Sequence, residues 1–384
     1  MRFFLLFLAA LGSVVALAVA VGLGTAHLFR KGALDVRTGP DPLDLEVATV
    51  GDGRITLRRS RSTRSGDWAM PGTFGLVGEH AYHRVGEVIE LHAAEVVREH
   101  LGGRGILVSG DKARLDSFVF EDDPEVAHGL RFETVQVESP LGAMPAWFVP
   151  GTEPTWVVLV HGKGANRRET LRALPSLVEL GLPCLAITYR NDEEAPNSDD
   201  SRYGYGRHEW EDLEAAVRYA LDYGANQVVL MGFSMGGAIS LSFLEKSPLA
   251  SSVIGVILDA PMLDLRETIA LGATKAGVPR RVLPYTNRIA SRRYGVDWEE
   301  VDYLKRASAL TPPILLFHGD ADGTVPVSTS DRLAEALPNL VTYVRIRGAG
   351  HVRGWNVDRE RYTAAVRTFL TKVLSDERTV QATV

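Results

Sequence analysis

The sequence predicts an α/β protein: a mainly parallel, doubly wound sheet with a helical insertion over its edge, preceded by a small β-rich region and an N-terminal membrane helix. Three observations carry this expectation. Strand and helix signals alternate from Arg131 to Ser375, short glycine-punctuated strands fill the stretch from about Leu43 to His128, and no charged side chain occurs from Phe3 to Phe29. Alternating strands and helices imply crossover connections, and crossovers imply parallel pairing. The expected divisions are an anchor over 1–31, an accessory region over 32–130, and an α/β domain over 131–384 with a cap insertion at about 261–310.

The N-terminal run exceeds the ~20 apolar residues that cross a bilayer. A cleaved signal peptide competes, with Ala16-Leu17-Ala18 or Ala18-Val19-Ala20 as its cleavage site, but the run continues to Arg30-Lys31, which fits an uncleaved single-pass anchor. Arg2 and the α-amine face Arg30, Lys31 and Arg37 across it, so charge barely sets the orientation; the expectation leans to a catalytic domain outside the cytoplasm. In the accessory region Val47 to Leu57 reads as a hairpin around Gly51-Asp52-Gly53, and Thr73 to Val77 and Arg84 to Ile89 as further strands. His80, His83, His92 and His100 lie here, yet no cysteine or second matched pair accompanies His80-x-x-His83, and no metal is expected.

In the catalytic region Phe132 to Glu138 and Ala143 to Val149 form a leading hairpin, followed by the strand Trp156 to Val160. Asn166-Arg167-Arg168-Glu169 reads as a capping box opening a helix that runs to about Leu180. Pro183 to Tyr189 is a strand, and Glu209 to Leu221 a helix with Trp210, Leu213, Val217 and Leu221 on one face. Gln227 to Met231, Val253 to Leu258, Ile314 to Phe317 and Val341 to Ile346 continue the sheet, and a closing helix covers Glu360 to Leu374. The insertion from Pro261 to Leu310 holds capping boxes at Asp264-x-x-Glu267 and Asp297-x-x-Glu300. It also holds a basic cluster of Arg280, Arg281, Arg288, Arg292 and Arg293, read as a solvated face or a surface for an anionic substrate or lipid headgroup.

Composition bounds the function. With 45% hydrophobic residues in 384 the chain can bury a large core, and a formal net charge of −6 points away from nucleic acid. One cysteine, Cys184, sits inside a strand as a small buried hydrophobe and excludes an intrachain disulfide.

The chemistry concentrates at strand ends. Gly232-Phe233-Ser234-Met235-Gly236 follows an apolar strand and precedes a helix, the setting in which Gly-x-Ser-x-Gly forms a nucleophile elbow: glycines leave room for a tight turn that lifts a serine hydroxyl above the sheet. Asp259, Asp320 and Asp322 end other strands, and His351 follows Gly348-Ala349-Gly350. An oxyanion hole needs two backbone N–H groups, one of them the amide of Met235. His161-Gly162-Lys163-Gly164 is not a phosphate loop, because no Gly-Lys-Ser/Thr closes it. Asp192-Glu193-Glu194 and Asp199-Asp200 crowd the loop after Tyr189, as a binding site for a substrate amine or as a solvated acidic loop.

HGKGANR at 161–167, GFSMGG at 232–237, HGDADGTVP at 318–326 and GAGH at 348–351 together resemble the α/β-hydrolase superfamily from about Arg131 to Ser375. The pattern is most similar to its serine-aminopeptidase, monoacylglycerol-lipase and prolyl-oligopeptidase-like members. The resemblance implies the order Ser, acid, His, which makes His351 the base; it selects Asp322 as the acid by its position after His318, and it puts the second oxyanion donor at the amide of Lys163. It further implies a serine hydrolase of the carboxylesterase or lipase type acting on a small acyl substrate through an acyl-enzyme, with no cofactor. A prolyl-oligopeptidase-like peptidase and an inactive membrane-tethered binding protein are the alternatives.

Overall fold

The computed structural model describes residues 21–36, 39, 41–59, 63 and 66–383. The strands fall into two sheets. β1 (Leu45–Gly51), β2 (Arg54–Arg59), β3 (Phe74–Gly78), β4 (Tyr82–Leu91), β5 (Glu95–Arg104) and β6 (Lys112–Asp116) close into an antiparallel barrel in the order β1-β2-β5-β4-β3-β6. Asp52 and Gly53 take φ of 52° and 69° between β1 and β2, the left-handed pair whose twist matches the flanking strands. Val47, Ile55, Leu57, Phe74, Leu76, Val85 and Val96 fill the interior. β5 and β6 were not foreseen, because β5 mixes charged residues and glycines; it is held as a strand by ladders to β2 on one side and β4 on the other.

The second sheet comprises β7 (Glu133–Ser139), β8 (Gly142–Val149), β9 (Thr155–Val160), β10 (Cys184–Ile187), β11 (Gln227–Phe233), β12 (Val253–Asp259), β13 (Ile314–Gly319) and β14 (Val341–Ile346), in the order β14-β13-β12-β11-β9-β10-β8-β7. β8 runs antiparallel to both its neighbours and the remaining pairs are parallel. β9, β10, β12 and β13 are buried at every position, as continuous apolar runs should be when helices cover both faces. The helices are α1 (residues 21–29), α2 (Trp210–Asp222), α3 (Met235–Lys246), α4 (Leu265–Lys275), α5 (Leu283–Tyr294), α6 (Val327–Ala336) and α7 (Arg359–Thr383), with shorter turns between. One apolar cluster lies on each face: Leu213, Val217 and Ile239 belong to one, and Val366, Phe369, Leu370 and Val373 to the other.

Two local expectations need correction. The helix expected over 166–180 is a 3-10 turn, Arg167–Arg172, followed by a single α-turn, Leu174–Val178. Asn166 caps its start by accepting from the Arg168 amide at 3.0 Å, but the Glu169 carboxylate turns inward to the Gly162 amide at 2.7 Å instead of closing the box. Asp297 caps a turn and no helix follows it; Glu300 instead accepts from Arg207 and Lys246.

A further finding concerns the N-terminus. Residues 1–20 of the expected anchor lie outside the described residues, and among the described residues no helix is long and apolar enough to cross a membrane. Residues 21–36, which include the last part of that run, pack on the catalytic region. Ala26 and Phe29 are buried, Phe29 lies 5.7 Å from Trp298, and Thr25 Oγ1 is 2.6 Å from Thr286 Oγ1. Ala33 and Leu34, in the widened turn Arg30–Leu34, belong to the same core, and their carbonyls accept from Tyr205 Oη and the Tyr203 amide. The barrel proper begins only at Leu45, and Val119 and Phe120, beyond its last strand, join the core of the second sheet.

A chain starting at Val21 is therefore expected to fold, whereas one starting at Val36 should be strongly destabilised, since it uncovers Trp298 and the groups paired with Ala33 and Leu34. Phe29→Ala alone should cost about 3 kcal/mol through its cavity, measured by urea unfolding. A cost near zero would mean that this segment is not part of the core.

Candidate active site

The carboxyl ends of β9, β11, β12, β13 and β14 lie side by side, so the loops leaving them meet above one sheet edge. Ser234 terminates β11 with φ 51° and ψ −111°, a conformation costly for a residue with a side chain, and α3 begins at the next residue. The turn is compressed on both sides. A Cβ on Gly236 would stand 2.0 Å from the Val160 carbonyl oxygen, and one on Gly232 would stand 2.5 Å from the Gly236 oxygen. Any side chain there would push α3 off β9. The backbone of Ser234 is pinned by hydrogen bonds from its amide to the Asp259 carbonyl and from the Met262 amide to its own carbonyl, at 2.9 and 3.0 Å.

Above the turn the side chains form a relay. Ser234 Oγ is 2.8 Å from His351 Nε2, and His351 Nδ1 is 2.7 Å from Asp322 Oδ2. His351 is partly exposed and Asp322 has no exposed side-chain surface. Burial opposes the Asp322 charge, but His351 and His318 outweigh it and hold the carboxyl well below the usual carboxylate range. His318 Nε2 lies 3.1 Å from the same Oδ2, while Oδ1 accepts from the amides of Thr324 and Val325. All four contacts favour an ionised acid facing His351. Such a set can take a proton from a hydroxyl and return it to a leaving group.

Of the other acids near strand ends, neither reaches His351 by a hydrogen bond. Asp320 accepts from the Gly348 amide at 2.7 Å and so holds the start of the histidine loop. Asp259 is buried and accepts from Tyr362 Oη at 3.1 Å; burial pushes its pKa from 3.8 to about 6.

The loop after β9 packs directly on the serine: a Cβ on Gly162 would lie 3.1 Å from Ser234 Cβ. This loop is braced from beneath. His161 is wholly buried, stacked on Tyr189 with centroids 4.4 Å apart, and its Nε2 lies 2.8 Å from Asp192 Oδ2. Burial would lower the His161 pKa, but Asp192 outweighs it and raises it. Tyr189 Oη donates to the Gly162 carbonyl, and Glu169 accepts from the Gly162 amide. Lys163 Nζ donates to the Gly32 carbonyl at 2.7 Å, which ties the loop to the N-terminal segment. Met235 opens α3, so its amide is among the first-turn N–H groups that lack an acceptor within the helix.

This geometry agrees with the matches to known proteins. The model of the alpha/beta hydrolase family matches residues 157–366. The chain belongs to the alpha/beta hydrolase family. A second model, described as a domain of unknown function, matches residues 46–116, the span of the barrel. Uncharacterized protein Rv2307c of Mycobacterium tuberculosis is 24% identical over 237 residues, covering 59% of this chain and 74% of that protein. Uncharacterized protein YqkD of Bacillus subtilis is 22% identical over 273 residues, covering 67% and 88%. The solved structure of the Pyrococcus furiosus esterase Pf2001 is similar in fold, with TM-score 0.55 and 20% identity over 67% of this chain and 95% of that one.

Several groups that shape the site of this hydrolase escaped sequence reading. Asp192 is neither solvated nor open to a substrate, because it is spent on His161 and the Tyr189 amide. Glu194 pairs with Arg167, and Asp200 accepts from Ser198 and the Arg202 amide. Arg172 donates to the Val352 carbonyl and to Asn356 Oδ1, just beyond the histidine. The barrel reaches the same loop: Arg353 donates to Asp67 Oδ2 and to the His351 carbonyl, both at 2.9 Å. In the barrel His83 Nδ1 lies 2.8 Å from His100 Nε2, and among the described residues no group of three or more His, Cys, Asp or Glu is placed to hold a metal.

The Asp259 carboxyl yields a signed pH prediction. An acid with a raised folded pKa binds more protons folded than unfolded between 3.8 and about 6, so it erodes stability as pH rises through that window. Asp259→Asn should gain stability relative to wild type across the window, by on the order of 3 kcal/mol, in urea unfolding on either side of it. The opposite trend would show that Asp259 is stabilised as a carboxylate.

Proposed function

We propose that this chain is a serine hydrolase of the carboxylesterase or lipase type, which cleaves an ester, or a thioester or amide, of a small acyl substrate through an acyl-enzyme. The observation that carries this reading is the relay of Ser234, His351 and Asp322, at 2.8 and 2.7 Å, mounted on a positive-φ turn. As Ser234 Oγ attacks the acyl carbon, its proton passes to His351 Nε2, and Asp322 stabilises the imidazolium through Nδ1. The amides of Met235 and Lys163 serve as donors to the oxygen that becomes negative. When the tetrahedral adduct collapses, His351 returns the proton to the departing alcohol, thiol or amine. Water then repeats the sequence on the acyl-enzyme, releasing the acid and restoring Ser234.

On the same reading the enzyme is held on a membrane through the uncharged residues upstream of Val21, as a single-pass tether with the catalytic domain outside the cytoplasm. The run from Phe3 to Val21 remains long enough to span a bilayer after the turns that pack on protein are set aside.

Ser234→Ala and His351→Ala should each abolish turnover of p-nitrophenyl esters and labelling by a fluorophosphonate, without unfolding. The double variant should be little worse than either single one, since the members act as a unit. Asp322→Asn should lose on the order of 10⁴ in kcat by favouring the wrong His351 tautomer, while Asp320→Asn stays close to wild type. A folded Ser234→Ala with near-normal kcat would overturn the reading. A panel of p-nitrophenyl esters beside aminoacyl anilides distinguishes esterase from peptidase preference.

A further inference from the structure

The outward side of α5 carries charge that catalysis leaves unused. From Thr268 to Val296 the chain has one lysine, Lys275, and five arginines, with no acid; against −6 overall, this stretch of +6 leaves −12 on the rest, −6 less +6. Arg280, Arg281, Arg288, Arg292 and Arg293 are all exposed, and none has an ion-pair partner among the described residues. Tyr285, Arg288 and Arg292 stand at i, i+3 and i+7, one stripe of the helix, and Tyr285 is 61% exposed.

α1 lies against this helix. A Cβ on Gly22 would meet Ile289 at 3.1 Å and Tyr285 at 3.7 Å, and Thr25 bonds to Thr286. Val21, Leu23 and Leu28 of α1 are exposed. The chain leading into Val21 is uncharged back to Phe3. Guanidinium groups without a carboxylate partner among the described residues, an exposed tyrosine and exposed aliphatic side chains thus lie on two helices packed together in an otherwise acidic protein, at the point where a long apolar segment joins it. Salt-bridged α-helical faces elsewhere in the chain mix signs; Glu214 and Arg218 on α2 are an example.

We propose that this face, formed by α5, the turn before it and α1, rests on an anionic lipid surface, with Arg281, Arg288 and Arg292 against phosphate headgroups and Tyr285 at the interface. The proposal rests in part on the membrane-tether reading. Its consequence is a fixed posture: the widened turn Arg30–Leu34, which holds Lys163 of the loop beside Ser234, follows directly from the lipid-facing α1, so the site sits close to the bilayer.

The test uses the full chain carrying Tyr285→Cys labelled with an environment-sensitive nitrobenzoxadiazole, since the native Cys184 is buried. Reconstituted into phosphatidylcholine vesicles and into matched vesicles containing phosphatidylglycerol, the label should shift to the blue only in the latter. Raising salt should reverse the shift, as the screening length shrinks from about 10 Å to about 3 Å. Arg281→Glu, Arg288→Glu and Arg292→Glu together should abolish it, while hydrolysis of a short p-nitrophenyl ester in detergent is unchanged. Equal emission in both vesicles, or a shift that survives the charge reversals, overturns the proposal. Flotation separates it from the tether. A chain that floats with neutral vesicles supports the tether whatever the label reports. One that floats only with anionic vesicles, and only with its arginines, sinks the tether but upholds the surface; one that floats with neither sinks both.

Discussion

The close approach of the α3 start to the end of β9 is the constraint on which the rest of the site depends. Gly236 lies so near the Val160 carbonyl that a methyl group would stand 2.0 Å from it, and that contact allows the chain to reverse at Ser234 with positive φ. Backbone strain of this kind costs on the order of 1–3 kcal/mol and persists only where surrounding structure holds it. Here the Asp259 carbonyl, the Met262 amide and the buried apolar residues of α3 hold it. The reversal places the hydroxyl above the sheet edge, the Met235 amide beside it and the loop after β9 against it. One compressed turn therefore positions three parts of the candidate site.

Around that turn the loops are stiffened by buried polar pairs as well as by apolar packing of residues such as Ala349 and Val352. His161 with Asp192, Glu169 with the Gly162 amide, and Tyr189 with the Gly162 carbonyl fix the loop after β9 from three directions. His318 and two amides fix Asp322, and Asp320 and Arg172 fix the two ends of the histidine loop. Buried polar groups of this sort are costly when unpaired, so pairs of this kind favour one arrangement and resist drift of the candidate reacting atoms. The same reasoning links the barrel to the candidate site. Arg353 spans Asp67 and the His351 carbonyl, and Asn356 exchanges hydrogen bonds with the backbone of Thr73, so the barrel is part of the frame in which His351 is held.

The sequence by itself determined the sheet and its mainly parallel pairing, and pointed to Ser234 and His351 as candidate reacting residues. Those signals are local: buried strands read as apolar runs, the elbow as glycines at fixed spacing, and His351 as a histidine on a glycine-rich loop after the last strand. Tertiary structure added the contacts with His351 and His318 that set Asp322, which the resemblance had selected, apart from Asp259 and Asp320, since all three stand near strand ends. It also decided that Asp192 and Glu169 face inward, that the helix expected after Asn166 is broken into short turns, and that Phe29, Ala33 and Leu34 belong to the core of the second sheet. In each case the deciding partner lies far along the chain or across the sheet: a carboxylate or an apolar side chain has the same local sequence whether it meets solvent or a buried histidine, and only the fold supplies the partner.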